Sequence, residues 1–365
     1  MKILFITSSS INGGAQKHIK EMFLCLTRMG HAVKLVAPQG WLTNELKEFP
    51  ENVIVMDSSW RNIQKLSSVI EAFQPDITNT FILSGGCFGV AAWKKKKYGK
   101  IFVTVNNPVI YDGISRINRI IYPLLYKWMT KYVSAFLVKS DKVRDEVKTV
   151  IRNRCEVVSI KNGIDFKCFN KDGEYSDLRE TLGFSKEDII LSNVAALEER
   201  KGQKYLLNAV AKLKEKYPIR TLIVGEGSIR GELEKQIEEQ DLRNNVFLLG
   251  ARKDINNILY NSDIFVLPSL HEGLPNALME AMAMGKPCIA ADVGGVRQLI
   301  TNEREGIVVD SKDSEGIRKA VEKIINNAEY AEEIKHNAYQ KMKNEFDQSA
   351  VTQELLNIYT TDYSL

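Results

Sequence analysis

The sequence predicts an α/β protein built from two doubly wound domains, each a parallel sheet with helices on both faces. Short apolar runs of strand length alternate with amphipathic helical patterns along all 365 residues, which is typical of βαβ units. Eleven or more such strands are too many for one ordinary doubly wound sheet. The length also suits two domains of usual size.

The elements follow one another in a regular order. KILFIT is a short buried strand, a loop with Gly13 and Gly14 follows, and an amphipathic helix is expected from about Ala15 to Arg28. Gly30 ends this helix, and HAVKLVAP forms the next strand. The remaining strand-like runs are NVIVM, DITNT, KIFVTV, SAFLVK, EVVSI, IILSNV, RTLIVG, NVFLLG, DIFVLP, KPCIAA and EGIVVD. Helical patterns lie between them, and from about Ser314 the pattern is helical almost to the C-terminus.

The join between the two domains is expected at residues 161–165, where the charge balance changes. Residues 1–165 hold 24 Lys and Arg against 13 Asp and Glu, a net charge of +11, whereas the remainder carries −7. This asymmetry predicts that the first half faces an anionic partner, which could be a membrane, a nucleic acid or an acidic substrate. Nucleic acid is disfavoured because no base-stacking module or recognition helix accompanies the charge.

Several classes of protein are disfavoured by composition. No window approaches the ~18 uninterrupted apolar residues of a membrane-spanning helix, and the N-terminus does not resemble a secretory signal. The five cysteines are scattered without a CxxC pair, and the four histidines show no metal-ligand spacing. We therefore expect a cytoplasmic protein without a disulfide scaffold or structural zinc.

Residues 263–295, DIFVLPSLHEGLPNALMEAMAMGKPCIAADVGG, contain the densest group of candidate functional residues. A strand ends at Pro268, and after a loop a helix begins at about Asn276. Amides of Ala277 and Leu278 at its N-terminus would offer hydrogen-bond donors to an anion such as a diphosphate.

Two carboxylates, Glu272 and Glu280, flank this anion site. A carboxylate near phosphate is unfavourable unless it accepts hydrogen bonds from hydroxyls, so both are predicted to bind sugar. The alternative is that Glu280 only favours the first turns of the helix and that Glu272 is solvated.

This segment resembles the signature of glycosyltransferase family 4, the retaining nucleotide-sugar transferases of GT-B fold. Glu272-x7-Glu280 lies between a strand ending in Pro-Ser and a helix running into Gly-Lys-Pro. The resemblance spans nearly the whole chain, including Gly13-Gly14, residues 162–165, Lys201-Gly202 and residues 224–227. It implies two Rossmann-like domains facing a central cleft: 1–165 for the acceptor, 166–345 for the nucleotide sugar, and 346–365 as a C-terminal helix returning to the first domain.

The resemblance also implies roles for individual residues. Glu272 would bind hydroxyls of the donor sugar, Glu280 the ribose hydroxyls, and Lys201 would neutralise the diphosphate leaving group. Gly13 and Gly14 would let backbone amides approach the phosphate. The remaining donor-site candidates are Gly273, Leu274, Pro275, Asn276, Ala277 and Leu278.

Two positions depart from the family pattern. Ala196 stands where relatives often have an arginine that grips the diphosphate; Arg200 either compensates or points to solvent. Asn106 stands where relatives often have a histidine near the reacting carbon. Asparagine can bond a hydroxyl or carbonyl but cannot do a histidine's proton chemistry, which puts rate and donor identity in question.

The run VGEGSIRGELE at residues 224–234 resembles a dinucleotide-binding turn. Its spacing is Gly225-x-Gly227-x3-Gly231 rather than GxGxxG, and no acidic residue ends the following strand. Two interpretations remain: a turn near the nucleotide, or a tight turn that only lets a helix pack on its strand. A NAD-dependent dehydrogenase is disfavoured.

Two stretches account for the basic first half. Trp93-Lys94-Lys95-Lys96-Lys97-Tyr98 is a basic run between aromatics, and residues 117–132 place Arg119 and Lys127 near Trp128. Lysines attract anionic headgroups and tryptophans favour the interfacial layer. These stretches predict peripheral docking on the inner face of the cytoplasmic membrane, near a lipid-linked acceptor. The alternative is a solvated helix end and an ordinary amphipathic helix.

The sequence thus predicts a retaining hexosyl- or N-acetylhexosaminyltransferase using a nucleoside diphosphate sugar, a UDP-sugar by family frequency, for cell-surface polysaccharide or glycolipid synthesis. No cofactor or metal is expected, because there is no Asp-x-Asp motif and Lys201 would take the cation role. One alternative is a non-catalytic GT-B subunit, favoured by Ala196 and Asn106. A phosphorylase is disfavoured because no cofactor-anchoring lysine context appears, and an epimerase because the Glu272-x7-Glu280 segment fits transferases better.

Overall fold

The computed structural model describes residues 1–11, 13–106, 109, 115–301 and 303–363, with the backbone alone of Lys142. Its strands are β1 Lys2–Thr7, β2 Ala32–Ala37, β3 Val53–Val55, β4 Ile77–Phe81, β5 Lys100–Val105, β6 Ala135–Val138, β7 Glu156–Ser159, β8 Ile189–Val194, β9 Ile219–Val224, β10 Val246–Leu248, β11 Ile264–Leu267, β12 Cys288–Ala291 and β13 Ile307–Val309. Its helices are α1 Gly14–Arg28, α2 Trp41–Glu45, α3 Ile63–Phe73, α4 Leu83–Trp93, α5 Arg116–Met129, α6 Asp141–Ile151, α7 Leu178–Leu182, α8 Gln203–Leu213, α9 Arg230–Glu239, α10 Ile255–Tyr260, α11 Asn276–Ala283, α12 Val296–Leu299, α13 Ser314–Asn326, α14 Ala328–Glu345 and α15 Gln348–Thr360. Every strand-like run of the sequence overlaps one of these strands.

The chain divides into two compact units. Unit 1 comprises Met1–Gly163 with Gln348–Leu365, and unit 2 comprises Ile164–Asp347. Unit 1 contains a seven-stranded sheet of order β3-β2-β1-β4-β5-β6-β7, and unit 2 a six-stranded sheet of order β10-β9-β8-β11-β12-β13. All of the strand pairs are parallel. The prediction of two doubly wound α/β domains is confirmed.

The strand order reverses once in each sheet. In unit 1 the reversal lies between β1 and β4, and in unit 2 between β8 and β11. The loops after two such strands run to opposite faces of the sheet and leave a crevice at its carboxyl edge, where ligands of open α/β sheets bind. In unit 2 the loops at this crevice are residues 195–202 and 268–275.

Backbone contacts between Ile164 and residues 346–347 mark the boundaries of the units. The amide of Ile164 donates to the carbonyl of Phe346 at 2.7 Å, and Ile164 forms an isolated bridge with Asp347. Ile164 therefore belongs to unit 2, and the structure places the boundaries at 163/164 and 347/348 rather than at the expected 165/166 and 345/346.

The C-terminal helix α15 packs on unit 1. Tyr359 is fully buried, and its hydroxyl accepts a hydrogen bond from Asn79 Nδ2 at 2.7 Å. Its ring lies 5.0 Å from that of Phe102, centroid to centroid. One buried aromatic therefore ties the end of the chain to two central strands of the sheet.

Candidate functional site

The loops after β8 and β11 are joined through their backbones. The amide of Leu270 donates to the carbonyl of Arg200 at 2.8 Å. Gly202 has φ +65°, and a Cβ there would lie 2.1 Å from the carbonyl oxygen of Pro268. Only glycine allows this approach, so the Lys201-Gly202 sequence brings the lysine to the carboxyl end of β11.

Lys201 and Glu272 form an ion pair at this point. Lys201 Nζ lies 2.7 Å from Glu272 Oε1, and the two side chains are 14% and 8% exposed. Ser269 Oγ donates to the same oxygen at 2.7 Å, whereas Glu272 Oε2 accepts no hydrogen bond from the described residues. An ammonium has three donors, so the pair can present N–H groups to an anion and a carboxylate oxygen to hydroxyls.

Helix α11 begins directly after this loop. Its N-cap is Pro275, whose side chain makes no capping hydrogen bond, so the amides of the first turn lack the usual N-cap acceptor. Glu280 lies on the same helix and is 8% exposed. A positive helix end therefore follows Glu272 by a few residues, in the arrangement that the sequence predicted.

The turn at residues 225–227 packs against the β8 loop. A Cβ on Gly225 would lie 1.9 Å from the carbonyl oxygen of Ala195, and one on Gly227 would lie 2.2 Å from that of Leu197. The amide of Leu197 also donates to the carbonyl of Glu226 at 3.0 Å. Close backbone packing therefore accounts for both glycines, and a role in nucleotide binding stays a prediction.

Arg200 does not point toward Glu272. Its Nε lies 2.6 Å from Glu198 Oε2, and its side chain is half exposed. The carbonyl of Ala196 accepts a hydrogen bond from Gln203 Nε2 at 3.0 Å. For Arg200 to take the place of the arginine that relatives often have at position 196, its guanidinium would have to leave Glu198.

Sequence reasoning missed three residues of this site. Ser269 donates to Glu272, Gly294 has φ +54° and lies against the Glu272 carbonyl, and the amide of Gly295 donates to the carbonyl of Gly273 at 2.7 Å. The Gly-Gly pair after the strand KPCIAA was a usable sign of close backbone approach. The neighbouring sequence did not indicate that this pair would contact the backbone of Glu272 and Gly273.

The candidate residues Gly13, Gly14 and Asn106 belong to unit 1. Gly13 precedes α1 in an extended conformation, and no side chain caps that helix. Asn106 follows β5, and its buried Nδ2 has no hydrogen-bond partner among the described residues. A buried donor without a partner costs folding free energy, and a ligand acceptor would remove that cost. A ligand-facing role for Asn106 stays a prediction.

Two basic side chains meet inside unit 1. His18 Nε2 on α1 lies 2.5 Å from Lys139 Nζ, and His18 Nδ1 has no partner among the described residues. Burial, followed by the charge of Lys139, lowers the pKa of His18 well below 6.5. Burial also lowers the pKa of Lys139 well below 10.5, with the charge of Glu21 opposing the shift.

This pair predicts that acid destabilises the protein. Between the lowered pKa of the folded state and the ordinary value of 6.5, the unfolded chain binds a proton at His18 that the folded chain does not, so stability falls as the pH drops through this range. His18→Gln keeps an acceptor for Lys139 but does not titrate. We expect the Tm of wild type to fall more steeply than that of His18→Gln between about pH 7 and 5, measured calorimetrically at constant ionic strength. Parallel curves would contradict this assignment.

The aromatics expected at a membrane pack within unit 1. Trp93 Nε1 donates to the carbonyl of Tyr98 at 2.8 Å. Lys94 Nζ lies 5.8 Å from the Trp128 ring, and Lys96 pairs with Glu71 at 2.8 Å. Lys95, Lys97 and Arg119 are exposed, and Lys127 is half-buried. No described helix is long and apolar enough to cross a membrane.

Comparison with known proteins gives two family matches. The family described as Glycosyltransferase Family 4 matches residues 12–167, and that described as Glycosyl transferases group 1 matches residues 174–341. Crystalline Anabaena HepE in complex with UDP superposes with a TM-score of 0.83 at 20% identity, covering 98% of this chain and 99% of HepE. Such neighbours confirm the GT-B fold.

Two of the relatives with named activities are named for diphospho-undecaprenol-linked sugars. The N,N'-diacetylbacillosaminyl-diphospho-undecaprenol alpha-1,3-N-acetylgalactosaminyltransferase of Campylobacter jejuni is 26% identical over 346 residues, 90% of each chain. The UDP-Gal:alpha-D-GlcNAc-diphosphoundecaprenol alpha-1,3-galactosyltransferase of Escherichia coli is 29% identical over 214 residues, 56% of this chain and 55% of that enzyme.

Proposed function

We propose a donor, an acceptor and a stereochemical outcome for this chain, which belongs to glycosyltransferase family 4 and is a transferase. It moves a hexose or N-acetylhexosamine from a UDP-sugar to a hydroxyl of a glycan or lipid-linked acceptor. The transfer retains configuration and serves cell-surface polysaccharide or glycolipid synthesis. The observation that carries the proposal is the Lys201–Glu272 pair at the reversal of strand order in unit 2. A cation for a diphosphate and a carboxylate for sugar hydroxyls lie side by side there.

The names of the relatives support the finer parts of the proposal. The E. coli relative uses UDP-Gal and forms an alpha-1,3 linkage; because the sugar of UDP-Gal is itself α-linked, such a product retains configuration. Both relatives act on undecaprenyl diphosphate-linked sugars. A polyprenyl acceptor resides in a bilayer, so the proposal includes peripheral association with the inner face of the cytoplasmic membrane.

The proposed mechanism is a front-face substitution. The acceptor oxygen bonds to the anomeric carbon as the bond from that carbon to the diphosphate breaks, and the departing diphosphate takes the acceptor's proton. Charge grows on the leaving group, so Lys201 and the amides at the start of α11 would stabilise the transition state more than the ground state. In this scheme Lys201 takes the cation role, and no metal ion is needed.

A thermal-shift screen of UDP, GDP, ADP and their common sugar conjugates tests the donor class. A ligand at 100 times its Kd that binds only the folded state adds ~2.7 kcal/mol, and we expect UDP compounds alone to raise the Tm by at least about 2 °C. Donor hydrolysis or transfer is then assayed with the conjugates that bind. A shift with GDP or ADP compounds instead would overturn the UDP assignment.

A non-catalytic nucleotide-sugar-binding subunit is the second candidate. It is favoured by Ala196 and Asn106, which stand where related enzymes often carry an arginine and a histidine. Nucleotide binding without any sugar release or transfer would select this candidate. Detectable turnover would exclude it.

A further inference from the structure

Helix α5 carries a stripe of exposed aliphatic side chains. Ile117, Ile120, Ile121 and Leu124 are 68%, 67%, 40% and 59% exposed. Their spacing of three and four residues places them on one face of the helix. We call these four residues the α5 stripe.

The opposite face of α5 holds the helix to unit 1. Tyr126 and Met129 are buried in the apolar core beneath the helix, and the Tyr126 ring lies 5.7 Å from that of Phe136. The α5 stripe is therefore not the helix's packing face. Four aliphatic side chains exposed on one helix face are typical of an interaction surface.

Basic side chains border the α5 stripe. By helical spacing Arg116 and Lys127 flank the stripe on α5; Arg116 is exposed and Lys127 is half-buried, and the sequence has no acidic residue from 116 to 132. Lys94 Nζ lies 5.8 Å and 5.9 Å from the rings of Trp128 and Tyr132, which brings the lysine run 94–97 to the C-terminal end of α5. The stripe is thus apolar, with basic side chains along one flank and at the C-terminal end of the helix.

We propose that the α5 stripe inserts into the surface of an anionic lipid bilayer, with its bordering arginines and lysines at headgroup level. Amphipathic helices with aliphatic and cationic faces bind such surfaces through apolar burial and attraction to anionic lipids. The inference deepens the proposed function, on which it rests for the lipid-linked acceptor. The sequence led us to expect Trp93 and Trp128 at the membrane, but both pack within unit 1. The four residues of the α5 stripe take that place in the present proposal.

A second copy of the chain suits this surface less well. In a symmetric dimer the same patch faces itself, so the basic side chains bordering one stripe would face those of the other. Like charges across an interface oppose association. Anionic headgroups supply the opposite charge.

The test is flotation of the full chain with vesicles of phosphatidylcholine alone and of equimolar phosphatidylglycerol and phosphatidylcholine. Wild type is expected to float with the anionic vesicles, and less at high salt. The double variant Ile120→Asn with Leu124→Asn is expected to partition at least about tenfold more weakly. Arg116→Glu with Lys127→Glu is expected to remove the preference for anionic vesicles. Trp60→Ser, which alters an exposed apolar side chain in the same unit, is expected to float like wild type.

Melting temperatures and the UDP-dependent thermal shift verify that each variant folds. Wild-type binding by the Ile120→Asn, Leu124→Asn protein would overturn the inference. So would failure of wild type to float while the UDP shift persists, which leaves the proposed sugar transfer standing and removes only its membrane association. Flotation without any nucleotide shift would count against the proposed function and support the docking surface. A dimer in sedimentation velocity that the same double variant abolishes, with no flotation, would assign the stripe to a second copy instead.

Discussion

The Lys201→Met variant is expected to lose at least about 100-fold in kcat/KM, as is usual when one preorganised charge stabiliser is removed. Methionine keeps most of the length of the side chain and removes its charge. The ammonium lies 2.7 Å from Glu272 in a nearly buried position, where water screens it little and its effect on a developing diphosphate charge is large. The measurement is nucleotide release from the sugar conjugate that raises the Tm most.

Arg200→Met is the matched control for this loss. Arg200 is the adjacent residue, but its guanidinium pairs with Glu198 and is half exposed. Exposed pairs of this kind contribute little, so we expect kcat/KM within about threefold of wild type. Equal losses in the two variants would indicate a general effect of positive charge at the loop, and wild-type activity in Lys201→Met would remove the lysine from the mechanism.

A double variant separates catalysis from stability. Removing Lys201 alone leaves the carboxylate of Glu272, 8% exposed, with Ser269 as its remaining donor among the described residues, so Lys201→Met is expected to lower the Tm. Lys201→Met with Glu272→Gln removes both charges and is expected to recover most of that Tm, because a buried pair contributes little net stability. Activity is expected to stay lost. A double variant that regains activity would show that the pair acts only as a structural brace.

The sheets were predictable because parallel strands covered on both faces are almost wholly apolar. IFVL of β11 and CIAA of β12 are buried at every position, and such short runs between turn residues stand out in the sequence. Glu272 and Glu280 were proposed as site residues on a different ground, the resemblance of their sequence context to a known family. Composition alone left them as two carboxylates near a helix start.

The orientation of α5 could not be predicted from its sequence. The usual rule places isoleucine and leucine inside and tyrosine toward water. Here Tyr126 is buried while Ile117, Ile120 and Leu124 are exposed, so the rule gives the wrong face. The sequence therefore indicated a membrane role through its tryptophans, whereas the exposed apolar surface is made by aliphatic residues.

Long-range pairs were also beyond local patterns. His18 on α1 and Lys139 directly after β6 are 121 positions apart and meet only in the folded unit 1. Gly294 is a further case, because its need for glycine comes from the backbone of Glu272 in another loop. Such requirements depend on tertiary contacts, which no window of sequence contains.

Gly294→Ala is expected to destabilise unit 2 by at least about 3 kcal/mol and to abolish activity. Its φ is +54°, and a Cβ would lie 1.9 Å from the carbonyl oxygen of Glu272 and 2.7 Å from its carbonyl carbon. Backbone atoms cannot rotate away as a side chain can. The clash would push the Glu272 backbone away from the loop that also bonds Gly273 to Gly295, and with it the carboxylate that meets Lys201.

Gly30→Ala isolates the backbone penalty from the clash. Gly30 has φ +84°, and a Cβ there would have no atom within 4 Å. This variant carries only the left-handed cost of about 1–2 kcal/mol and is expected to keep full activity. Urea denaturation of both variants gives the difference. Equal losses of stability in the two variants would mean that the loop after β12 does not pack on Glu272. A larger loss in Gly294→Ala, with normal activity per folded molecule, would mean that this packing supports the fold but does not position the carboxylate.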